Sequence, residues 1–184
     1  MEKKKKETRK FVNVIDLEAC CWRGNPPKGQ SKEIIEIGIA SVDFYTKEII
    51  KKRSILVKPK HSEISAFCTE LTTITQEMVD KKGVSFEIAC KILVKEFNSN
   101  KSMFVSWGEY DKDAFKKECR SKKTPYPFGK THINLEKLFA FKYGLKQPAS
   151  VSGALKLLDM EFTGTKHRGI SDAINTARIL QKII

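Results

Sequence analysis

The 184-residue chain has no apolar run approaching the ~18 residues of a membrane span. Its Met-Glu start leads into Lys3, Lys4, Lys5 and Lys6 with no apolar stretch behind them, a pattern that excludes a secretory signal. A cytoplasmic protein without a membrane partner is the expectation, with a nuclear place open if the source is eukaryotic. The five cysteines, Cys20, Cys21, Cys68, Cys90 and Cys119, are odd in number and irregular in spacing, and no C-x-x-C occurs. Those absences argue against a zinc site and a disulfide framework and leave reduced, partly buried thiols. Internal repeats and long linkers are also missing. A basic disordered arm over residues 1–10 followed by one domain over 11–184 is the expected organisation.

Negative charge is in short supply. Against 22 acidic residues stand 35 Lys and Arg, a net charge of +13. The first ten residues carry six basic and two acidic side chains, so a surplus of nine positive charges remains on the rest of the chain. A basic body with a basic arm attracts polyanions, and phosphate backbones are the commonest of these. Charge of this kind is equally compatible with a solvated tail.

The apolar pattern begins as strands. Residues 11–17 are apolar, β-branched and short, which predicts a buried strand. A loop marked by Gly24, Pro26, Pro27 and Gly29 follows. Residues 34–44 predict a second strand, with Ile35, Ile37 and Ile39 on one face and Glu36 and Gly38 on the other. A third is predicted over 49–57 and a loop over 58–75. Helices are predicted over Ser85–Phe97 with Ser85 as N-cap, over Lys112–Arg120, over Ile133–Tyr143 with Gly144 beyond its end, over Val151–Leu158 and over Ile170–Ile184. Short strands are expected over Met103–Ser106 and just before the Ile133 helix. Strands first, then helices alternating with strands, predict an α/β fold with a mixed sheet flanked by helices.

Three separated places hold acidic residues in unusual settings. Asp16 and Glu18 stand two apart at the end of the most apolar strand, so both carboxylates project from one face. Paired carboxylates there repel each other and are costly to desolvate, and a bound dication such as Mg²⁺ or Mn²⁺ relieves both problems. A strand end running into solvent would make the pair harmless. The second place is Trp107-Gly108-Glu109-Tyr110-Asp111, where a strand turns into a helix. Asp111 suits a metal ligand or an N-cap, and Asp113 competes for either role. The third is His167-Arg168-Gly169-Ile170-Ser171-Asp172, opening the last helix. His167 suits proton transfer near neutral pH and Asp172 suits a metal, while a surface loop and a helix cap are the plain alternatives.

Taken together, D-x-E on the first strand, an Asp at a strand-to-helix turn and H-x-x-x-x-D at a late helix resemble the DEDDh exonucleases of the RNase H-like fold. The segments Glu33–Gly38, Phe67–Gln76 and His167–Ala173 with Asn175–Arg178 are similar to the Eri-type branch, which includes histone-mRNA 3′-end exonucleases and KapD-like proteins. The resemblance covers residues 11–184 as a single exonuclease domain. It implies an antiparallel meander continued by parallel strands, and a 3′→5′ exoribonuclease acting on single-stranded 3′ ends. Members of the animal branch often carry an additional RNA-binding domain, for which this chain has no room.

The expected chemistry is two-metal hydrolysis, with Mg²⁺ or Mn²⁺ ions roughly 3.5–4 Å apart. Asp16 would bridge them, Glu18, Asp111 and Asp172 would complete the shells, and His167 would take the proton from water. The product would be a nucleoside 5′-monophosphate. The resemblance further implies that backbone around Leu17 and Ala19 faces the terminal ribose and that Leu71 to Thr75 packs on the terminal base, with Ile74 as the wedge. Trp22, Phe67, Trp107 and Tyr110 are stacking candidates, each weighed against a place in the core. Lys112, Lys116, Lys117, Arg120, Lys122 and Lys123 suit either a phosphate track or a solvated helix face. A DNA-directed enzyme of the same fold and a regulatory, protein-binding role of a KapD-like protein are the alternatives.

Overall fold

A computed structural model describes residues 10–184, so the arm expected over 1–10 lies, Lys10 apart, outside the described residues. The chain opens with three strands, β1 (Phe11–Ala19), β2 (Ile34–Asp43) and β3 (Ile49–Leu56). Helices α1 (Ala66–Thr72), α2 (Gln76–Lys82) and α3 (Phe86–Phe97) follow, then β4 (Met103–Ser106), α4 (Tyr110–Ser121) and β5 (His132–Asn134). The chain closes with α5 (Leu135–Lys142), α6 (Val151–Leu157) and α7 (Gly169–Ile183). No helix among the described residues is long and apolar enough to cross a membrane.

The sheet order is β3-β2-β1-β4-β5. β1 pairs antiparallel with β2, and β2 with β3. β4 adds parallel to β1, and β5 parallel to β4. This is the expected mixed sheet of the RNase H-like kind. Every residue of β2 is buried, because both faces of the sheet are covered. On one face Ile15, Leu17, Ile37 and Ile39 pack against Phe86, Leu93, Phe97 and Phe115 of α3 and α4. On the other, Val12, Val14, Ala40 and Val42 pack against Phe139, Leu155, Ala177 and Leu180 of α5, α6 and α7. Alternation along β1 therefore sends Asp16 and Glu18, the next members of the Val12, Val14 series, to the α7 side.

The stretch expected to be a loop over 58–75 contains α1, and α2 follows directly. Each has seven residues and too little apolar repeat to register as a pattern. Caps and packing form them instead. Ser65 accepts a hydrogen bond from the Cys68 N–H and Thr75 from the Met78 N–H. Cys68, Ile74 and Val79 fill a third cluster with Cys20, Ile35 and Ile64.

Placement of α7 is set by two glycines. A Cβ on Gly38 of β2 would lie 2.0 Å from the carbonyl carbon and oxygen of Gly169, and one on Gly169 would lie 3.0 Å from the Asp16 oxygen. Backbone thus touches backbone where α7 meets β1 and β2, and neither position has space for a side chain. Gly38→Ala is expected to cost about 3 kcal/mol through forced displacement of α7. Chemical denaturation checks this, and an unchanged midpoint would contradict the close approach.

Candidate active site

The site is assembled around a buried acid of β2. Glu36 is fully buried and lies opposite Glu18 in the β1–β2 register. Its carboxylate accepts from Arg168 Nε at 3.0 Å and Nη2 at 3.3 Å, from the Gly169 N–H at 3.0 Å and from Ser54 Oγ at 2.5 Å. These bonds hold the turn that starts α7. Within it, His167 adopts a left-handed φ of +58° and is exposed. Asp172 sits in the first turn of α7, its N–H donating to the Arg168 carbonyl at 3.0 Å.

Asp16, Glu18 and Asp172 converge there. Each offers a carboxylate oxygen, and the three oxygens lie within 4.8 Å of one another. Asp111 approaches from another side. It is the second residue of α4, where Glu109 holds the cap position without a side-chain capping bond. Instead of capping, Asp111 Oδ1 accepts the Leu17 N–H at 3.0 Å. The reason lies in the sheet: β4 pairs with β1 only over Val12–Val14, so the later part of β1 has no strand partner on that edge. Asp111 occupies the place the strand leaves. Its rival Asp113 is exposed.

In a chain of net charge +13, this concentration of acids is held against electrostatics. Burial pushes Asp16 well above the usual carboxylate range, and the charges of Asp111, Asp172, Glu18 and Glu36 add to it. Burial, then Asp172, Glu36 and Asp111, push Glu18 up to about 8, with Arg168 opposing. Asp111 is pushed up to about 7, chiefly by burial, against the stabilising bond from Leu17. Burial also raises Asp172, opposed by His167 and by backbone N–H groups. Asp172 Oδ2 is buried with no hydrogen-bond partner among the described residues. Clustered oxygens, mutual repulsion and an orphaned acceptor together fit a hard divalent cation.

Other expected contacts are distributed differently. Leu17 is buried, while Ala19, Leu71 and Thr75 are half-buried; the Thr75 hydroxyl is used as the α2 cap. Ile74 is 0 % exposed inside the third core cluster, so its side chain has no free surface to act as a wedge. The turn before α2, with Thr73 at φ +62°, faces it inward. Trp107 donates from Nε1 to the Ala149 carbonyl at 3.0 Å and packs on Phe139, half-buried against the second core cluster. Trp22 lies against the third cluster, and the Arg23 guanidinium covers Phe67 at 5.2 Å. Tyr110 remains 54 % exposed immediately before Asp111, the one stacking candidate with a largely open ring. The contributions of Glu36, Gly38 and Arg168 escaped the sequence reading. Their signal was a lone acid within an isoleucine run and an arginine next to His167.

Comparisons with known proteins point to one family. Residues 13–180 match the family model described as exonuclease, RNase_T. The human 3′-5′ exoribonuclease 1 is 30 % identical over 183 residues, covering 95 % of this chain and 52 % of that protein. The chain thus spans about half the length of this curated relative. The nuclease domain of 3′hExo, a DEDDh family member solved bound to rAMP, superposes with a TM-score of 0.84 at 30 % identity, covering 96 % of this chain and 92 % of that one. A 3′-exonuclease solved in 3′-end-specific recognition of the histone mRNA stem-loop gives 0.82 at 30 % identity, with coverage of 94 % and 80 %.

The raised acids set a pH dependence. Glu18 and Asp111 keep protons in the fold that they would lose in the unfolded chain. The stability linked to those protons is complete below their ordinary values near 4 and is lost as pH rises through about 7 to about 8. In chelator, the thermal midpoint is expected to fall between about pH 5 and about pH 8.5, and Asp16→Asn to lessen the fall. Added Mg²⁺ or Mn²⁺ should raise the midpoint more at the alkaline end. A midpoint indifferent to both pH and metal would contradict the packed acid centre.

Proposed function

Because the chain belongs to the RNase_T exonuclease family, whose DEDDh members it resembles over nearly its whole length, we propose that it is a metal-dependent 3′→5′ exonuclease that trims single-stranded RNA to nucleoside 5′-monophosphates. The observation that carries this reading is the convergence of Asp16, Glu18 and Asp172 within 4.8 Å. RNA is favoured over DNA by the kinship at 30 % identity with exoribonucleases. The raised protonation of the acids supports a site that empties of protons as it fills with metal.

Asp16, Glu18 and Asp172 would hold two Mg²⁺ or Mn²⁺ ions, with Asp111 beside them. When bound, such ions neutralise the charge gathering on the scissile phosphate and make a water easier to deprotonate. His167 receives the proton of the attacking water; its exposure at the start of α7 gives it access to solvent and substrate. Glu36 and Arg168 set the backbone on which His167 stands. Asp111, bonded to the Leu17 N–H, fixes the strand whose backbone at Leu17 and Ala19 would meet the terminal ribose. The exposed ring of Tyr110 suits a base near that end.

Matched RNA and DNA oligonucleotides, incubated with Mg²⁺, Mn²⁺ or chelator, test direction, sugar preference and metal need together. Stepwise release of 5′-monophosphates from RNA 3′ ends is expected, and none in chelator. Asp16→Ala and His167→Ala should each lower turnover by roughly a thousandfold with the circular dichroism spectrum retained. Full activity in either folded variant would refute the assignment.

A further inference from the structure

The lysine-rich surface of α4 is not a uniformly solvated face. Lys112 pairs with Glu109, and Lys122 is drawn inward between Glu33 and Glu118. Among the described residues, no carboxylate lies within ion-pair distance of Lys116, Arg120, Lys123, Lys58 or Lys60. Elsewhere on the surface some basic residues are matched, as Lys81 is to Glu77, Lys91 to Glu87 and Arg53 to Glu96, so what sets these five cations apart is their gathering around shared clefts.

The unmatched cations border a row of adjoining clefts. Two clefts of about 570 Å³ each meet at Lys123 and Thr124, and a third of about 250 Å³ joins the first at Lys116 and Tyr126. Glu33, buried behind one wall, ties its residues together. It accepts from Lys122 Nζ at 2.9 Å and from the backbone N–H groups of Lys60 and His61 at 2.9 and 2.8 Å. That buried carboxylate draws the segment carrying Lys58 and Lys60 up to the end of α4. Burial alone would raise it, but those bonds hold Glu33 down at about 2, so the clamp stays charged at any working pH. Of the acids lining the clefts, Glu87 is already occupied by Lys91.

The clefts are reached along the helix that delivers Asp111 to the acid centre. Lys112 and Lys116 line its near cleft, one and five residues beyond Asp111. At about 1.5 Å per residue, Arg120 lies roughly 14 Å further along the helix than Asp111, a reach of a few nucleotides. Resting on the nuclease reading above, we propose that this groove carries the phosphate backbone of the single strand upstream of the 3′ end held in the acid centre. Recognition would be by charge and independent of sequence. Tyr126 and Pro125 form an apolar floor under the cations. A strand entering here extends the substrate contact well past the terminal nucleotide and favours long substrates over short ones.

Binding in chelator separates this proposal from catalysis. The probes are fluorescent single-stranded RNAs of about twelve nucleotides and of about three, read by anisotropy across a salt titration. The variant is Lys116→Gln/Arg120→Gln/Lys123→Gln, and Lys116→Arg/Lys123→Arg is the charge-preserving control. For the triple variant, affinity for the long strand should fall about tenfold and the salt slope by about two, as three lost phosphate contacts require. Binding and metal-supported hydrolysis of the short strand should be unchanged, and the control should bind like the parent. An unchanged long-strand affinity and slope in the triple variant would overturn the groove. So would a parent protein that binds both lengths equally, or displacement of the strand by polyglutamate as readily as by polyuridylate. A parent that binds the long strand through these residues but releases no nucleotide would instead overturn the nuclease reading alone.

Discussion

The start of α7 hangs on Glu36. This carboxylate has no exposed surface, and its oxygens are surrounded by donors from Arg168, Gly169 and Ser54. A buried ion pair of this kind adds little net stability, but it specifies geometry, because removing either partner strands a charge in the interior. Here the geometry matters twice. The pair fixes the turn bearing His167, and it presses α7 onto the sheet where Gly38 and Gly169 permit backbone contact. Only with α7 at that depth does Asp172 reach the carboxylates of β1. The site therefore depends on a strand residue that touches no reacting group.

Charge is distributed with opposite purposes on two parts of one molecule. At the site, acids are packed until burial and neighbouring carboxylates push Glu18 up to about 8, and Asp172 Oδ2 has no partner among the described residues. Outside, Lys116 and Arg120 of α4, Lys123, Lys58 and Lys60 have no carboxylate within ion-pair distance among the described residues. The first arrangement suits a dication and the second a polyanion, and the phosphodiester strand with metal proposed above would supply both. α4 connects them. Its first turn delivers Asp111 to the open edge of β1, and its later turns carry Lys116 and Arg120 along the groove.

Much of this was legible from residue order. Alternation along β1 and β2 predicted the strands and the shared face of Asp16 and Glu18, because a two-residue period is a local property. Spacing brought His167 and Asp172 to one helix start for the same reason. Asp111 was ambiguous between ligand and cap, since the answer depends on where β4 stops pairing with β1. Ile74 was expected to meet the terminal base and lies in the core, Trp107 was left open between stacking and core, and α1 was read as loop, because burial is a property of what packs from elsewhere in the chain. For Ile74 the neighbours are Cys20 and Ile35, more than thirty residues away. Lys122 looked like its neighbours on α4 but turns inward to Glu33.

By itself, the sequence determined the strand-and-helix periodicity, the excess of positive charge and the pairing of Asp16 with Glu18. These follow from backbone geometry and composition, which need no knowledge of distant contacts. The tertiary structure decided which third acid joins that pair, what Asp111 bonds to, and which lysines are drawn into ion pairs. Each of those outcomes is a long-range one: Glu36 clamping Arg168, β4 ending short of Leu17, and Glu33 claiming Lys122. Carboxylates and ammonium groups interact through space with whatever folding brings near, so their roles were set by packing and not by order along the chain.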